Sequence, residues 1–257
     1  LADYLALTKP RVTALVLVTA AAGFWLGIPS THAALQLLPL LVGTAMAVGG
    51  ANALNQWSER VPDGLMQRTK GRPIPSGRVN PDDALRFGLA LSAGGVLLLA
   101  VVVNILAAAL TALTIAIYVL AYTPLKRVTS LCTLIGAIPG AMPPVIGWAA
   151  ARNALSIEAW GLFAILFVWQ LPHFLAIAVL YRDDYARAGF RMLPVIEPDG
   201  LATARQTALY GLALLPVSLF PAFLGFAGAW YGYGALCLGL GFLAVSVRAA
   251  LVRSVPA

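Results

Sequence analysis

The sequence predicts an all-α fold, a polytopic transmembrane helical bundle, on three observations. Of its 257 residues, 60% are hydrophobic and only 11% are charged; a soluble domain carries about 25% charged residues. Mean hydropathy is +0.86, so the chain cannot clothe a water-facing surface. Apolar runs of the ~20 residues needed to cross ~30 Å of hydrocarbon recur from end to end. The basic residues then fall almost wholly on one side of those runs.

The runs lie near 12–29, 34–56, 84–103, 105–122, 131–150, 157–180, 203–226 and 228–250, which makes about eight helices. With the N-terminus inside, only Arg152 of the 17 lysines and arginines is outside. Cytoplasmic loops carry that bias, and one span more or fewer would scatter it. Of the ten acids only Glu158 lies outside. Acids do not obey the topology rule, so their gathering inside predicts a polar site on the cytoplasmic face. No soluble domain or long linker interrupts the spans, and residues 1–257 read as a single transmembrane domain. The net charge of +7 is a topology signal, and no nucleic-acid partner is expected. Cys132 and Cys237 sit in apolar runs and read as small buried hydrophobes. No C-x-x-C or Cys/His cluster points to a structural metal or haem attachment.

Between the second and third runs lies the densest polar stretch, Asn55 to Arg78. Asn55, Glu59 and Asp63 are spaced i, i+4, i+8, one helical stripe with ~6 Å between neighbours. Such oxygen donors suit magnesium, which takes one or two carboxylates plus substrate phosphate. Arg68, Lys70 and Arg72 follow, and arginine forks match phosphate oxygens. Pro62 should break the helix, leaving Asp63 on a loop. A solvated juxtamembrane loop explains the same residues; a second constellation shifts the balance.

After the fourth run, Tyr122, Lys126 and Arg127 add to the same face. The fifth run, IGAIPGAMPPVIGW, holds Gly136 and Gly140, suited to close helix packing. Its Pro139, Pro143 and Pro144 predict a broken or bent helix. In the sixth run, His173 is a histidine in hydrocarbon and so a functional candidate. Gln170, one turn before it, is placed to share its cavity. The alternative is a histidine hydrogen-bonded to a neighbouring helix. His32 reads as a surface residue in an outer loop. Beyond the sixth run come Asp183, Asp184 and Arg187. Two acidic clusters facing each other would let magnesium bridge a diphosphate, with basic residues offsetting the leaving charge.

These residues carry a family resemblance. Asn55-x-x-x-Glu59-x-x-x-Asp63 with Met66-x-Arg68-Thr69-x-x-Arg72-Pro73 resembles the first acidic motif of the UbiA-type membrane prenyltransferases, within them the haem O synthase branch (the protohaem IX farnesyltransferases). Thr8-Lys9-Pro10-Arg11 precedes it, and in order follow Tyr122-Thr123-Pro124-Leu125-Lys126-Arg127, Pro143-Pro144-Val145-Ile146-Gly147-Trp148, Trp169-Gln170-Leu171-Pro172-His173-Phe174 and Asp183-Asp184-Tyr185-Ala186-Arg187-Ala188-Gly189 with Met192-Leu193-Pro194-Val195. The resemblance implies farnesyl transfer from farnesyl diphosphate to a vinyl group of haem B, giving haem O for terminal oxidases. It implies Mg2+ held by Asn55, Glu59, Asp63, Asp183 and Asp184, which form the catalytic set. Diphosphate would be gripped by Arg68, Lys70, Arg72, Lys126, Arg127 and Arg187, and haem met by His173, Gln170 and Tyr122. It further implies a lipid-embedded enzyme of the bacterial inner membrane, with haem A synthase or oxidase assembly factors as candidate partners, and nine spans in place of eight. Two departures stand out. Glu59 occupies a position where aspartate is more usual, and Tyr185 and Ala188 interrupt the second Asp-x-x-x-Asp motif. A prenyltransferase acting on an aromatic quinone precursor, a lipid-phosphate transferase and a membrane transporter are the alternative functions.

Overall fold

A computed structural model describes residues 1–28, 31–197 and 199–252. Among them all regular structure is helical. Eight helices are long and apolar enough to cross a membrane, so the chain is an integral membrane protein. They are Pro10–Gly27, Leu37–Ser58, Pro81–Leu98, Ile105–Ala116, Cys132–Arg152, Ile157–Leu180, Leu201–Phe223 and Ala229–Val252, here the first to eighth spans. Each overlaps its expected run. The third and fourth are lengthened by π-helical stretches, Leu99–Val103 and Ile117–Tyr122. Between these two spans Asn104 leaves the helix. Its side chain caps Ala107 N–H and donates to the carbonyls of Ala149 and Ala150 on the fifth span.

Lipid tails reward apolar burial poorly, so spans associate through small residues that let backbones touch. The sequence supplies them where helices meet. Gly147 and Ala20, and Gly23 and Pro144, bring the fifth and first spans together backbone to backbone; a methyl at either glycine would strike a carbonyl. Gly50, Gly88, Gly95 and Ala47 do the same for the second and third. The fifth span is the hub: 72% of its most apolar stretch is buried, against 11% for the eighth. Its three prolines do not break it, and Cys132–Arg152 is one continuous helix. Phe24, Leu40, Leu99, Met142 and Val145 fill the core around it. Large apolar side chains elsewhere, such as Leu15, Leu120 and Trp230, point outward, as lipid requires. Cys132 is buried as expected, but Cys237 is exposed on the eighth span.

Polar side chains sort to the two ends. At one end Arg152 donates to the Gly27 carbonyl and stacks on Trp148. At the other, Asp3 pairs with Arg78, Lys9 meets Asn55, and Lys126 meets Glu59. The expected inner-face residue Arg253, the chain end Val255–Ala257 and the side chain of His32 lie outside the described residues.

Candidate active site

The stripe of Asn55, Glu59 and Asp63 survives, although Asp63 is not on a loop. The second span ends at Ser58, and a short helix, Arg60–Leu65, starts at once. The i, i+4 ladder crosses the junction: Glu59 N–H donates to Asn55 O, and Asp63 N–H to Glu59 O. Pro62 falls in the first turn of the new helix, where a missing N–H is harmless. All three side chains are buried, Asp63 fully.

They line a cavity of about 170 Å³ at the end of the bundle where the second span finishes. Facing them are Lys9, Arg68, Arg72 and Lys126, with the rings of Tyr118, Tyr122, Tyr185 and Phe190 and the side chains of Met66 and Met192. Each carboxylate has one oxygen held by a cation. Lys126 Nζ lies 2.6 Å from Glu59 Oε1, and Arg72 Nη1 lies 2.6 Å from Asp63 Oδ2. Asp63 Oδ1 is buried with no partner, a costly state unless a cation or donor arrives. Burial raises the Asp63 pKa, and the adjacent Arg72 offsets this only in part. Burial alone would lower the Lys126 pKa; the neighbouring tyrosine oxygens and the Glu59 carboxylate raise it instead. The Lys126 ammonium also lies 4.5 Å from the Tyr122 ring centre and 5.7 Å from that of Phe190. Tyr122 is seated on the fifth span: a Cβ at Gly136 would come within 2.5 Å of its ring.

Lys9 is a site residue that the sequence set among the inner-face basic residues and within the Thr8-Lys9-Pro10-Arg11 stretch of the family resemblance, with no role in the site. It adopts a left-handed conformation, φ 49° and ψ 66°, which costs a non-glycine residue ~1–2 kcal/mol. The second span offsets that strain. Gln56 donates to the Leu7 carbonyl and Asn52 to that of Thr8. The Lys9 ammonium then reaches Asn55 Oδ1 at 3.0 Å, while Asn55 Nδ2 donates to Thr123 Oγ1. Burial, with Arg72 and Lys126 nearby, lowers the Lys9 pKa to about 7. The one local signal was a lysine directly before a proline that opens a span.

The second acidic cluster lies close by but faces elsewhere. Asp184 accepts the backbone N–H groups of Gln67 at 3.0 Å and Arg68 at 3.2 Å, and also pairs with Arg187. Burial would raise its pKa, but these donors hold it below the usual carboxylate range. Asp184 therefore ties the segment after the sixth span to the turn that carries Arg68. The Arg68 guanidinium stacks on Tyr181, 4.7 Å from its ring centre. Asp183, Lys70, Arg127 and Arg187 are exposed and do not line the cavity. Gln170 is buried, donates to the Ala137 and Leu166 carbonyls and fills the notch at Gly140. His173 is exposed on the sixth span and stacks on Trp169, with ring centres 5.4 Å apart. The structure thus brings Tyr122 to the charged cavity and leaves Gln170 and His173 out of it.

Among the described residues no three His, Cys, Asp or Glu side chains converge as a ready-made metal cage. The available donors are the unpaired Asp63 oxygen and the second oxygen of Glu59. Those fit a hard divalent ion that takes its other oxygens from ligand and water.

Comparison with known proteins identifies the family and the fold. The model of the UbiA prenyltransferase family matches residues 16–255. A protein of Solibacter usitatus named "Protoheme IX farnesyltransferase" is 52% identical over 98% of this chain and 89% of its own length. One of the same name from Myxococcus xanthus is 48% identical over 94% of this chain and 81% of its own. Among solved structures, a UbiA homologue from Archaeoglobus fulgidus bound to DMAPP and Mg2+ superposes with a TM-score of 0.71 at 17% identity, covering 97% of this chain and 86% of that one. A UbiA homologue from Aeropyrum pernix gives 0.75 at 23%, covering 94% and 89%. With its eight spans and the acidic stripe at the end of the second, the chain belongs to the UbiA prenyltransferase family.

Proposed function

We propose that this chain transfers the farnesyl group of farnesyl diphosphate to a vinyl group of haem B, yielding haem O. One observation carries the reading: a cavity of mixed charge at the end of the second span, in a chain 52% identical to a protein named "Protoheme IX farnesyltransferase". At about 170 Å³ the cavity has the size of a diphosphate head. The diphosphate binds against Lys9, Arg68, Arg72 and Lys126, whose donors lower the energy of the departing anion. Asn55 holds the Lys9 ammonium toward the cavity. Glu59 and Asp63 would hold magnesium, which when bound draws charge from the phosphate oxygens. As the allylic carbon–oxygen bond breaks, positive charge develops on the prenyl chain. The rings of Tyr118, Tyr122 and Phe190 line the cavity and offer π faces to that charge. The vinyl carbon attacks, and water adds to the resulting cation and gives up a proton to the medium, completing the hydroxyethylfarnesyl group.

His173, exposed beside Trp169, is the group that meets the porphyrin face. The charged end faces the cytoplasm of a bacterial inner membrane, on the positive-inside bias. Haem extracted from a host with and without the chain tests the reading. Haem O should appear only with it. A farnesylated hydroxybenzoate as the sole product, with the protein inserted in the membrane, would overturn it.

A further inference from the structure

We propose that a second cavity, walled by the fifth, sixth and seventh spans, is a binding site for an anionic phospholipid. It holds about 70 Å³ and is lined by Ser130, Thr133, Leu171, Leu175, Gln206 and Tyr210 with three further leucines. No acid is among its lining residues. Glu197, just before the seventh span, has both oxygens on the Ala202 and Thr203 N–H groups.

The chemistry changes from the span ends inward, in the order phosphate, ester, acyl chain. Charge comes first. Arg127 and Arg191 are exposed, and neither pairs with an acid among the described residues. The Arg191 N–H donates to the Lys126 carbonyl at 2.7 Å. That bond sets side by side the two segments that carry Ser130 and Leu193 into the lining. Arginine forks match phosphate oxygens. Neutral donors come next. Ser130 and Thr133 stand at the start of the fifth span, while Gln206 and Tyr210 enter from the seventh. Helical side chains lean toward the N-terminus of their helix, so Gln206 and Tyr210 lean toward the same end as the arginines. Among the described residues the side-chain hydrogen bonds of the seventh span run to Thr207 and Ser218 and leave Gln206 and Tyr210 free. On the same face, Thr203 Oγ1 is buried without a partner. Hydroxyls and an amide can donate to ester carbonyls. Leu171 and Leu175 of the sixth span then give an apolar wall, and Val128 and Leu131 are exposed beside Ser130. A free phosphate would use the arginines alone; a phospholipid uses every layer.

The site backs onto the charged cavity. Cys132, between the lining residues Leu131 and Thr133, has its Sγ 3.8 Å from Met192 Sδ. Met192 lines the charged cavity, and its neighbour Leu193 lines this one. A lipid seated here braces that shared wall.

Native mass spectrometry tests this on the whole chain, delipidated in detergent and offered dioleoylphosphatidylglycerol, dioleoylphosphatidylcholine or inorganic phosphate. One phosphatidylglycerol should be retained per chain, about tenfold more tightly than phosphatidylcholine. Arg127→Gln combined with Arg191→Gln changes exposed side chains only, so the fold should persist and the preference should vanish. Gln206→Leu should weaken both lipids alike, by about fivefold. Arg86→Gln, on the third span, should change neither. A preference that survives the double arginine variant would overturn the proposal. So would an equal loss in Arg86→Gln, which would mark diffuse surface charge. Displacement of the lipid by inorganic phosphate would make this a free-anion site, and displacement by equimolar haem B would make carboxylates the occupant; either refutes the lipid assignment.

Discussion

Glu59 and Asp63, where the second span ends, lie buried in a cavity with an oxygen each to spare. Asp184, just beyond the sixth span, is nearly as buried, yet both its oxygens are taken by backbone N–H groups and Arg187. Both regions are acids beside arginines at the same end of the bundle. They differ in whether the donors around the carboxylate leave anything free. A carboxylate with an idle oxygen is open to an incoming ion; one whose two oxygens both accept from fixed donors first holds its neighbours in place.

Four experiments press on that difference. Removing divalent ions with a chelator should bring farnesyl transfer in isolated membranes to background, and added Mg2+ should restore it. Activity that survives chelation would remove the distinction altogether. Asp63→Asn should lower the rate about 10²–10³-fold, as loss of one charge-stabilising group typically does; a rate above a tenth of the parent, at equal protein level, contradicts the role given to Asp63. Asp184→Asn should cost about tenfold, mainly in KM for farnesyl diphosphate, because Arg68 is less well held. Its stability effect should depend on pH. A depressed pKa stabilises the fold above the carboxylate's unfolded pKa of ~3.9 and is lost as pH falls through the folded value. The melting-temperature gap between parent and variant should therefore close as the medium is acidified. Asp183→Asn, at an exposed position, should stay within about twofold in rate.

The eight spans were legible because length and hydropathy are local properties. The stripe of Asn55, Glu59 and Asp63 was legible for the same reason, since helical spacing is local too. The Pro62 break was misread: a proline's effect depends on whether it opens a helix or interrupts one, and here Arg60–Leu65 starts just before it. Lys9 was hidden. Only the fold brings it to Asn55, 46 residues along the chain. The bonding of Asp184 was equally hidden, because its partners Gln67 and Arg68 are more than a hundred residues away. Gln170 signalled a constraint by being polar in an apolar run. That the constraint is a notch at Gly140 depends on a neighbouring span.

The bare face of Gly136 sets a clearance. Tyr122 rests directly on it, so the ring is backed off as far as the fifth span permits. A methyl there would act as a wedge and drive the phenol toward Lys126, shrinking the room beside the departing anion. The gauge of the chamber is thus set from behind, by an atom the chain omits, at a residue the ligand need never touch.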